Sequence, residues 1–436
     1  MTTPYQQNAK TPAGPIASTP AGATWGGFRG LLKQYSGAAA GYSLRKIGNG
    51  PVVRLRRASD SAEKDFYAGD LTGFSEGAEL VTNGGFATDT DWTKDTGWSI
   101  TGGQAVYNGT GSGFASITQN DIFYPNISDG EYAIIELEVI SASDYSLCGI
   151  LLSTQSATFA ALQITSAGTY RILMQMVGND LSDLKIFCRD ANTLTIDNVS
   201  VKPYTPTAAE VWCLAGFSRT DSLWSRLTTD SSFVTTLYDQ ASTNDATQAT
   251  AAAQPKLITA GVTELDNGKP AMVFDGSDDE LAVSYSPSDY PITQTVVARG
   301  DAANSGYALS LHLSGQVDEY LTGSPVDASA VSIYSARTTG ASANPTNAIT
   351  ANDYVLMFSY SSSSTSHSTH LNGGAAATSA TAITFPAPDT LAIGNLRDNS
   401  PLYFAGKIQE AIIYASDQSA NRTILETNIN DHYGIY

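Results

Sequence analysis

The sequence predicts an all-β protein: two antiparallel β-sandwiches, preceded by an extended N-terminal arm and closed by one C-terminal helix. Three observations carry that expectation. Short runs rich in Val, Ile, Leu and aromatic residues recur along most of the chain, set apart by Gly, Asp and Ser clusters that signal turns. Apolar residues at helical spacing are convincing only after Ser416. Charged residues make up 15% of the chain, against about 25% in ordinary soluble proteins, while hydroxyl-bearing residues and Tyr are abundant, which suits pleated, half-buried surfaces.

Taken in order, residues 1–26 hold four prolines among Thr, Ala and Gly with no periodicity, the text of an extended arm. Tyr5, Ile16 and Trp25 give it apolar handles, so it is expected to order against another subunit rather than act as a spacer. Residues 27–76 open with a short helix-like stretch and then set Val53 and Leu55 against Arg54 and Arg56, a half-buried strand. Residues 77–204 form a self-contained block that opens on Glu79-Leu-Val-Thr-Asn-Gly-Gly-Phe86 and closes on Leu194-Thr-Ile-Asp-Asn-Val-Ser-Val201. Between them, strand-like runs such as 132–140 and 170–177 make a sandwich. Beyond Pro203 and Pro206, residues 205–436 repeat the rhythm at 271–275, 295–298, 354–360, 390–394 and 407–414, a second and larger sandwich. Ser416 or Asp417 is the expected cap of a helix whose apolar residues are Ile424, Leu425, Ile429 and Tyr433. No heptads occur, so no coiled-coil shaft is expected.

Composition narrows function. With 42 acidic and 23 basic residues the chain carries a formal charge of −19, the wrong sign for a nucleic-acid partner. No apolar run reaches the roughly 18 residues that cross a bilayer, and no export leader is read at Met1-Thr-Thr-Pro-Tyr5, so neither membrane insertion nor export is expected. Cys148, Cys188 and Cys213 are an odd set without CxxC spacing. They read as reduced, buried hydrophobes, with a Cys148–Cys188 bridge as the alternative.

Specific stretches resemble known families. Tyr35-Ser-Gly-Ala-Ala-Ala-Gly-Tyr-Ser-Leu-Arg45, Val53-Arg-Leu-Arg-Arg-Ala-Ser-Asp60 and Leu237-Tyr-Asp-Gln-Ala-Ser-Thr-Asn-Asp-Ala-Thr-Gln248 resemble family 54 α-L-arabinofuranosidases, with Ala241 and Thr243-Asn244 keeping the pattern only in part. Lys269-Pro-Ala-Met-Val-Phe-Asp-Gly-Ser-Asp-Asp279, His370-Leu-Asn-Gly-Gly374 and Phe404-Ala-Gly-Lys-Ile-Gln-Glu-Ala411 look like a laminin-G or concanavalin-A-like sandwich. With the closing Asn428-Ile-Asn430 and Tyr433-Gly-Ile-Tyr436, the combination is similar to virion and tail-fibre proteins of tailed bacteriophages. The block 77–204 resembles a carbohydrate-binding jelly roll, and the arabinofuranosidase-like text breaks near Phe74 and resumes near Val211. The resemblance therefore implies a jelly roll inserted at a loop of a concanavalin-A-like domain, with strands from 42–66 pairing with strands after 205.

Sugar binding calls for an aromatic platform against the apolar face of a pyranose, with polar side chains reaching its hydroxyls. Trp92, Trp98, Tyr107 and Phe114 in the first sandwich, and Tyr285, Tyr290, Tyr307 and Tyr320 in the second, are the candidates, each weighed against core packing. Asn83 and Asp197 match positions that hold a structural calcium in related binding modules; no other cofactor is expected. Asp275, Asp278, Asp279, Glu280, Asp318, Glu319 and Glu410 supply carboxylates, yet the stretches around the arabinofuranosidase nucleophile and acid have no counterpart, so no catalytic residue is assigned. Asp275 to Asp279 reads as a tight turn. His367 and His370, three apart in a strand, point to opposite faces and do not make a zinc pair.

The expected function is that of a bacteriophage virion protein, a fibre, spike or decoration subunit assembled in the host cytoplasm and displayed on the virion surface. It is expected to contact other virion proteins through residues 1–26, to form a homo-oligomer, for which the phage resemblance implies a trimer, and to attach to host-surface glycans. A glycoside hydrolase of arabinofuranosidase type and a purely structural virion protein without ligand are the alternatives.

Overall fold

The computed structural model describes residues 31–34, 37–111, 113–153, 158–176, 182–214, 230–301, 306–316, 320–325, 334–338, 341–343, 353–396 and 402–436. The arm 1–26 lies outside them. The architecture is all-β, and the strand pairings among the described residues are antiparallel.

The larger sandwich has two sheets. One runs Ala377–Ser379, Ser366–Leu371, Tyr354–Ser363, Ile292–Gly300 and Ala405–Tyr414; on the free edge of the last sit Met272–Asp275 and Ala38–Ser43, end to end. The other runs Ala341–Ala343, Tyr334–Thr338, Tyr320–Pro325, Tyr307–His312, Thr390–Ile393, Leu281–Ser284, Ala246–Thr247, Ser232–Leu237, Val53–Arg57 and Glu63–Phe66. The strand Lys256–Thr259 pairs with both Ser232–Leu237 and Met272–Asp275 and so joins the layers at one corner. Val53 and Leu55 are buried while Arg54 and Arg56 stay half-exposed, as the alternation predicts. Tyr42, Leu55, Phe66, Val234, Phe274, Val296 and Ile413 share one core, drawing on chain from both sides of 77–204.

The intervening segment makes its own sandwich. A five-stranded sheet is ordered Thr158–Gln163, Cys148–Ser153, Asp183–Arg189, Phe114–Gln119, Thr93–Lys94. The facing sheet is ordered Gly168–Gln175, Tyr132–Ala142, Leu194–Thr205, Gln104–Tyr107, Trp98–Thr101. Phe86, Trp92, Trp98, Tyr107, Ile135 and Ile186 lie in its separate core. The signature at its two ends has a steric cause: a Cβ on Gly84 would stand 1.9 Å from the Val199 carbonyl oxygen, and the Gly84 carbonyl accepts from Val199 N at 2.9 Å. The two bodies touch through Ile134, Leu173, Tyr204 and Val262.

Three expectations need correction. Cys148 and Cys188 are disulfide-bonded, because their strands are neighbours and the register sets the two residues opposite each other. Cys213 alone is free and buried, and burial pushes its thiol up to about 12. The C-terminal helix spans Arg422–Tyr433 and takes Asn421 rather than Ser416 or Asp417 as its N-cap; Asp417 instead accepts from Ser419 N at 2.8 Å in the turn before it. Leu425, Ile429 and Tyr433 are buried at helical spacing, whereas Ile424 is exposed. Gly434 ends the helix at φ 63 with its N–H on the Asn430 carbonyl, a backbone that glycine adopts without strain. A further helix, Ala208–Leu214, also escaped the pattern reading. Its signal is a capping box: Thr207 N donates to Glu210 Oε2 at 2.7 Å while Glu210 N donates to Thr207 Oγ1 at 3.1 Å.

Candidate functional site

Most of the expected sugar platform is core. Trp92 and Trp98 are each 6% exposed and Tyr107 is fully buried. Trp92 packs on Phe86 and donates to the Asn83 carbonyl; Trp98 packs on Tyr107 and donates to the Ala115 carbonyl; the Tyr107 hydroxyl donates to the Asp190 carbonyl. With both faces inside the sandwich, none of the three can receive a sugar ring. Tyr285 and Tyr307 are half-buried and flank opposite ends of the strand Thr390–Ile393, since Thr390 faces Ser284 and Ile393 faces Leu309. They do not form one platform. The Tyr320 side chain lies outside the described residues.

Among the candidate aromatics whose side chains are described, the exposed one is Phe114, 54% exposed at the start of the strand Phe114–Gln119 in the five-stranded sheet. The pleat explains it. Ala115 and Ile117 point inward, as do Leu184, Ile186 and Cys188 on the adjacent strand, so Phe114, Ser116, Lys185, Phe187 and Arg189 share the outer face. Phe114 pairs with Arg189 and Ser116 with Phe187. The Phe114 and Phe187 ring centroids are 5.2 Å apart, and the Arg189 guanidinium carbon lies 3.7 Å from the Phe114 ring centre. Asp95 accepts from both the N–H and the hydroxyl of Ser116, at 2.8 and 2.9 Å. The result is a ring backed by a second ring and a cation, with a carboxylate nearby, on a face that the neighbouring sandwich leaves open. The body meets that neighbour through its other sheet, where Ile134, Leu173 and Tyr204 sit. Phe187 and Arg189 were missed in the sequence, although the parity of Leu184, Ile186 and Cys188 places them outward.

Asn83 and Asp197 each have hydrogen-bond partners within the chain. The Asn83 amide donates to the Thr88 and Thr90 carbonyls at 2.7 and 3.1 Å, and Asp197 accepts from Asn198 N at 2.7 Å.

Among the candidate carboxylates, Asp318 and Glu319 lie outside the described residues. Asp275, Asp278 and Asp279 come together, with oxygens within 4.8 Å of one another. They form the expected turn: Asp275 accepts from Ser277 N, and Asp279 accepts from Asp275 N at 2.9 Å. Burial, with Asp275 and Asp278 adding repulsion, raises Asp279 to about 7. A carboxyl that holds its proton more tightly in the folded chain favours folding at low pH; that advantage fades as pH rises from about 4 to about 7 and is gone above. Asp279→Asn is therefore expected to flatten this stretch of the stability–pH curve and to raise the unfolding midpoint at pH about 8, as thermal melts across the range will show. An unchanged slope would count against the raised value. Glu280 is buried and accepts from Asn395 at 2.9 Å. Glu410, 1% exposed, is held by Arg45 through Nε and Nη2 at 2.7 and 2.9 Å, and accepts from the Ser43 and Tyr433 hydroxyls.

No family model matches this chain, and no curated protein matches it. Among solved structures, a family 29 carbohydrate-binding module complexed with cellulohexaose is similar at 12% identity and a TM-score of 0.23, over 31% of this chain and 95% of the module. A family GH54 α-L-arabinofuranosidase soaked with a cyclic sulfate inhibitor is similar at 13% identity and a TM-score of 0.34, over 67% of this chain and 62% of the enzyme. A Trypanosoma rangeli sialidase in complex with sialic acid is similar at 11% identity and a TM-score of 0.32, over 87% of this chain and 59% of the sialidase. The chain thus spans less than two thirds of each enzyme. Carbohydrate-binding and glycoside-hydrolase sandwiches stand among its neighbours, without residue-level correspondence.

Proposed function

We propose that this chain is a glycan-binding attachment protein, carried on a bacteriophage particle, that holds surface polysaccharide without cleaving it. The observation that carries the binding part is Phe114, a ring left 54% exposed on an open sheet face and stiffened from beside by Phe187 and Arg189. A pre-set ring binds a sugar at little ordering cost. The particle part rests on the sequence resemblance, with residues 1–26 docking on other virion proteins and a homo-oligomer multiplying weak contacts into avidity. Phe114→Ala is expected to weaken retention on an array of bacterial surface polysaccharides about tenfold, the loss of one stacked ring, while the melting temperature stays unchanged. Equal retention by the variant removes the face from the proposal. Hydrolysis is the second reading, favoured only by the proximity of Asp275, Asp278 and Asp279; release of reducing sugar that Asp279→Asn abolishes would replace binding with cleavage.

A further inference from the structure

A second feature lies on the larger sandwich, away from the Phe114 face, and stands independently of it. A cavity of about 190 Å³ is lined by Arg45, Lys46, Lys269, His432 and Tyr433, with Gly69 and Thr72 on its rim. Four segments distant in sequence supply these residues: the chain after Ala38–Ser43, the turn at Ala68–Leu71, the hairpin Leu265–Asp266 with Lys269–Pro270, and the end of the C-terminal helix. No acidic side chain lines the cavity. The carboxylate beneath it, Glu410, is committed to Arg45 by two hydrogen bonds. Lys46 and Lys269 have no ion-pair partner among the described residues.

In a chain of formal charge −19 such a concentration of cations is unusual. The net charge does not cancel it, because fields from exposed charges more than about 8 Å away are largely screened at physiological salt. The local groups count most: Arg45, Lys46 and Lys269 against the one carboxylate of Glu410. His432 senses them: burial first, and then Arg45 and Lys269, hold its imidazole down to about 4 against the opposing pull of Glu410. It is neutral at pH 7 and can donate a hydrogen bond without adding charge. The volume is below the roughly 300 Å³ at which ordinary ligand pockets begin, so it suits one small group and not an oligosaccharide.

We propose that this cavity binds a single small oxyanion, the carboxylate or phosphate group of an acidic glycan, through Lys46, Lys269 and His432 above the Arg45 guanidinium. Inorganic phosphate and glucuronate are the probes, with glucose as the neutral control, in titrations of the full chain that follow the His432 ring resonances and the heat of binding. Both anions, or one of them, should shift His432 saturably and less so at higher salt, with no effect of glucose. Phosphate alone would point to a phosphorylated polymer and glucuronate alone to a uronic acid. Lys46→Gln with Lys269→Gln should weaken binding at least about tenfold, as expected on losing two charge-assisted contacts, with the melting temperature kept; Lys269→Arg should restore part of it. Absence of a saturable shift, equal response to glucose, or undiminished anion binding by the folded double variant each overturns the site.

Discussion

Glu410→Ala is expected to cost about 3–5 kcal/mol of stability, the range for breaking a buried ion pair from one side, and to loosen the C-terminal helix. The reason lies in what Glu410 holds. Its two oxygens receive Arg45 in a fork, and Oε2 also takes the Ser43 hydroxyl at 2.7 Å and that of Tyr433 at 3.3 Å. Arg45 continues to Asn428 on the helix at 2.9 Å and lies over the Tyr433 ring. Burial works against the Arg45 charge, and Glu410 more than offsets it, moving the guanidinium above its already high value. Removing the carboxylate strands a cation that is only 13% exposed and breaks four hydrogen bonds from three side chains at once. Glu410→Gln keeps an acceptor but not the charge and should fall between. Arg45→Met combined with Glu410→Leu should recover most of the loss, since an apolar pair of similar volume avoids desolvation altogether. Denaturant melts measure the first effect and hydrogen exchange across 422–433 the second; a Glu410→Ala loss below about 1 kcal/mol, the surface-pair value, would show that the network contributes little.

The fold class was legible because alternation is a local property. Val53 and Leu55 announced their strand, and Leu425, Ile429 and Tyr433 their helix, from spacing alone. What spacing does not encode is which face of a strand meets the core when both carry large apolar groups. Trp92, outside any strand, and Trp98, which alternates with Ser99 and Thr101, are not such cases, and both rings join the core. Parity could have rescued Phe187 and Arg189, whose inward neighbours are unambiguous. The Cys148–Cys188 bridge, 40 residues apart in sequence, and the cavity between Arg45, Lys269 and His432 depend on strand order, which no window of sequence contains. The helix Ala208–Leu214 was the readable miss: Thr207-Ala-Ala-Glu210 is a capping box in plain text.

Excision of residues 77–203, with a two-residue Asn-Gly turn joining Glu76 to Tyr204, is expected to leave a folded larger sandwich that no longer retains neutral polysaccharide, while the cavity beside Arg45 stays in place. The joint is geometrically ready. Glu76 already pairs with Tyr204 and Ser75 with Thr205 in antiparallel register, so a type I′ turn would close an existing ladder into a hairpin. The residues on either side of the cut belong to one core, since Leu55 and Phe66 pack with Val234 and Phe274. The remnant would lose the cover that Ile134 and Leu173 give Val262, about 2–3 kcal/mol for one exposed valine-sized contact, which lowers the melting temperature without abolishing the transition. The excised body, with its own core and its disulfide, should unfold cooperatively by itself and keep whatever affinity Phe114 confers. Calorimetry on the two pieces decides the matter. If neither shows a cooperative transition, the chain is one folding unit whose bodies depend on each other; if the remnant still binds neutral polysaccharide, the Phe114 face is not where that sugar sits.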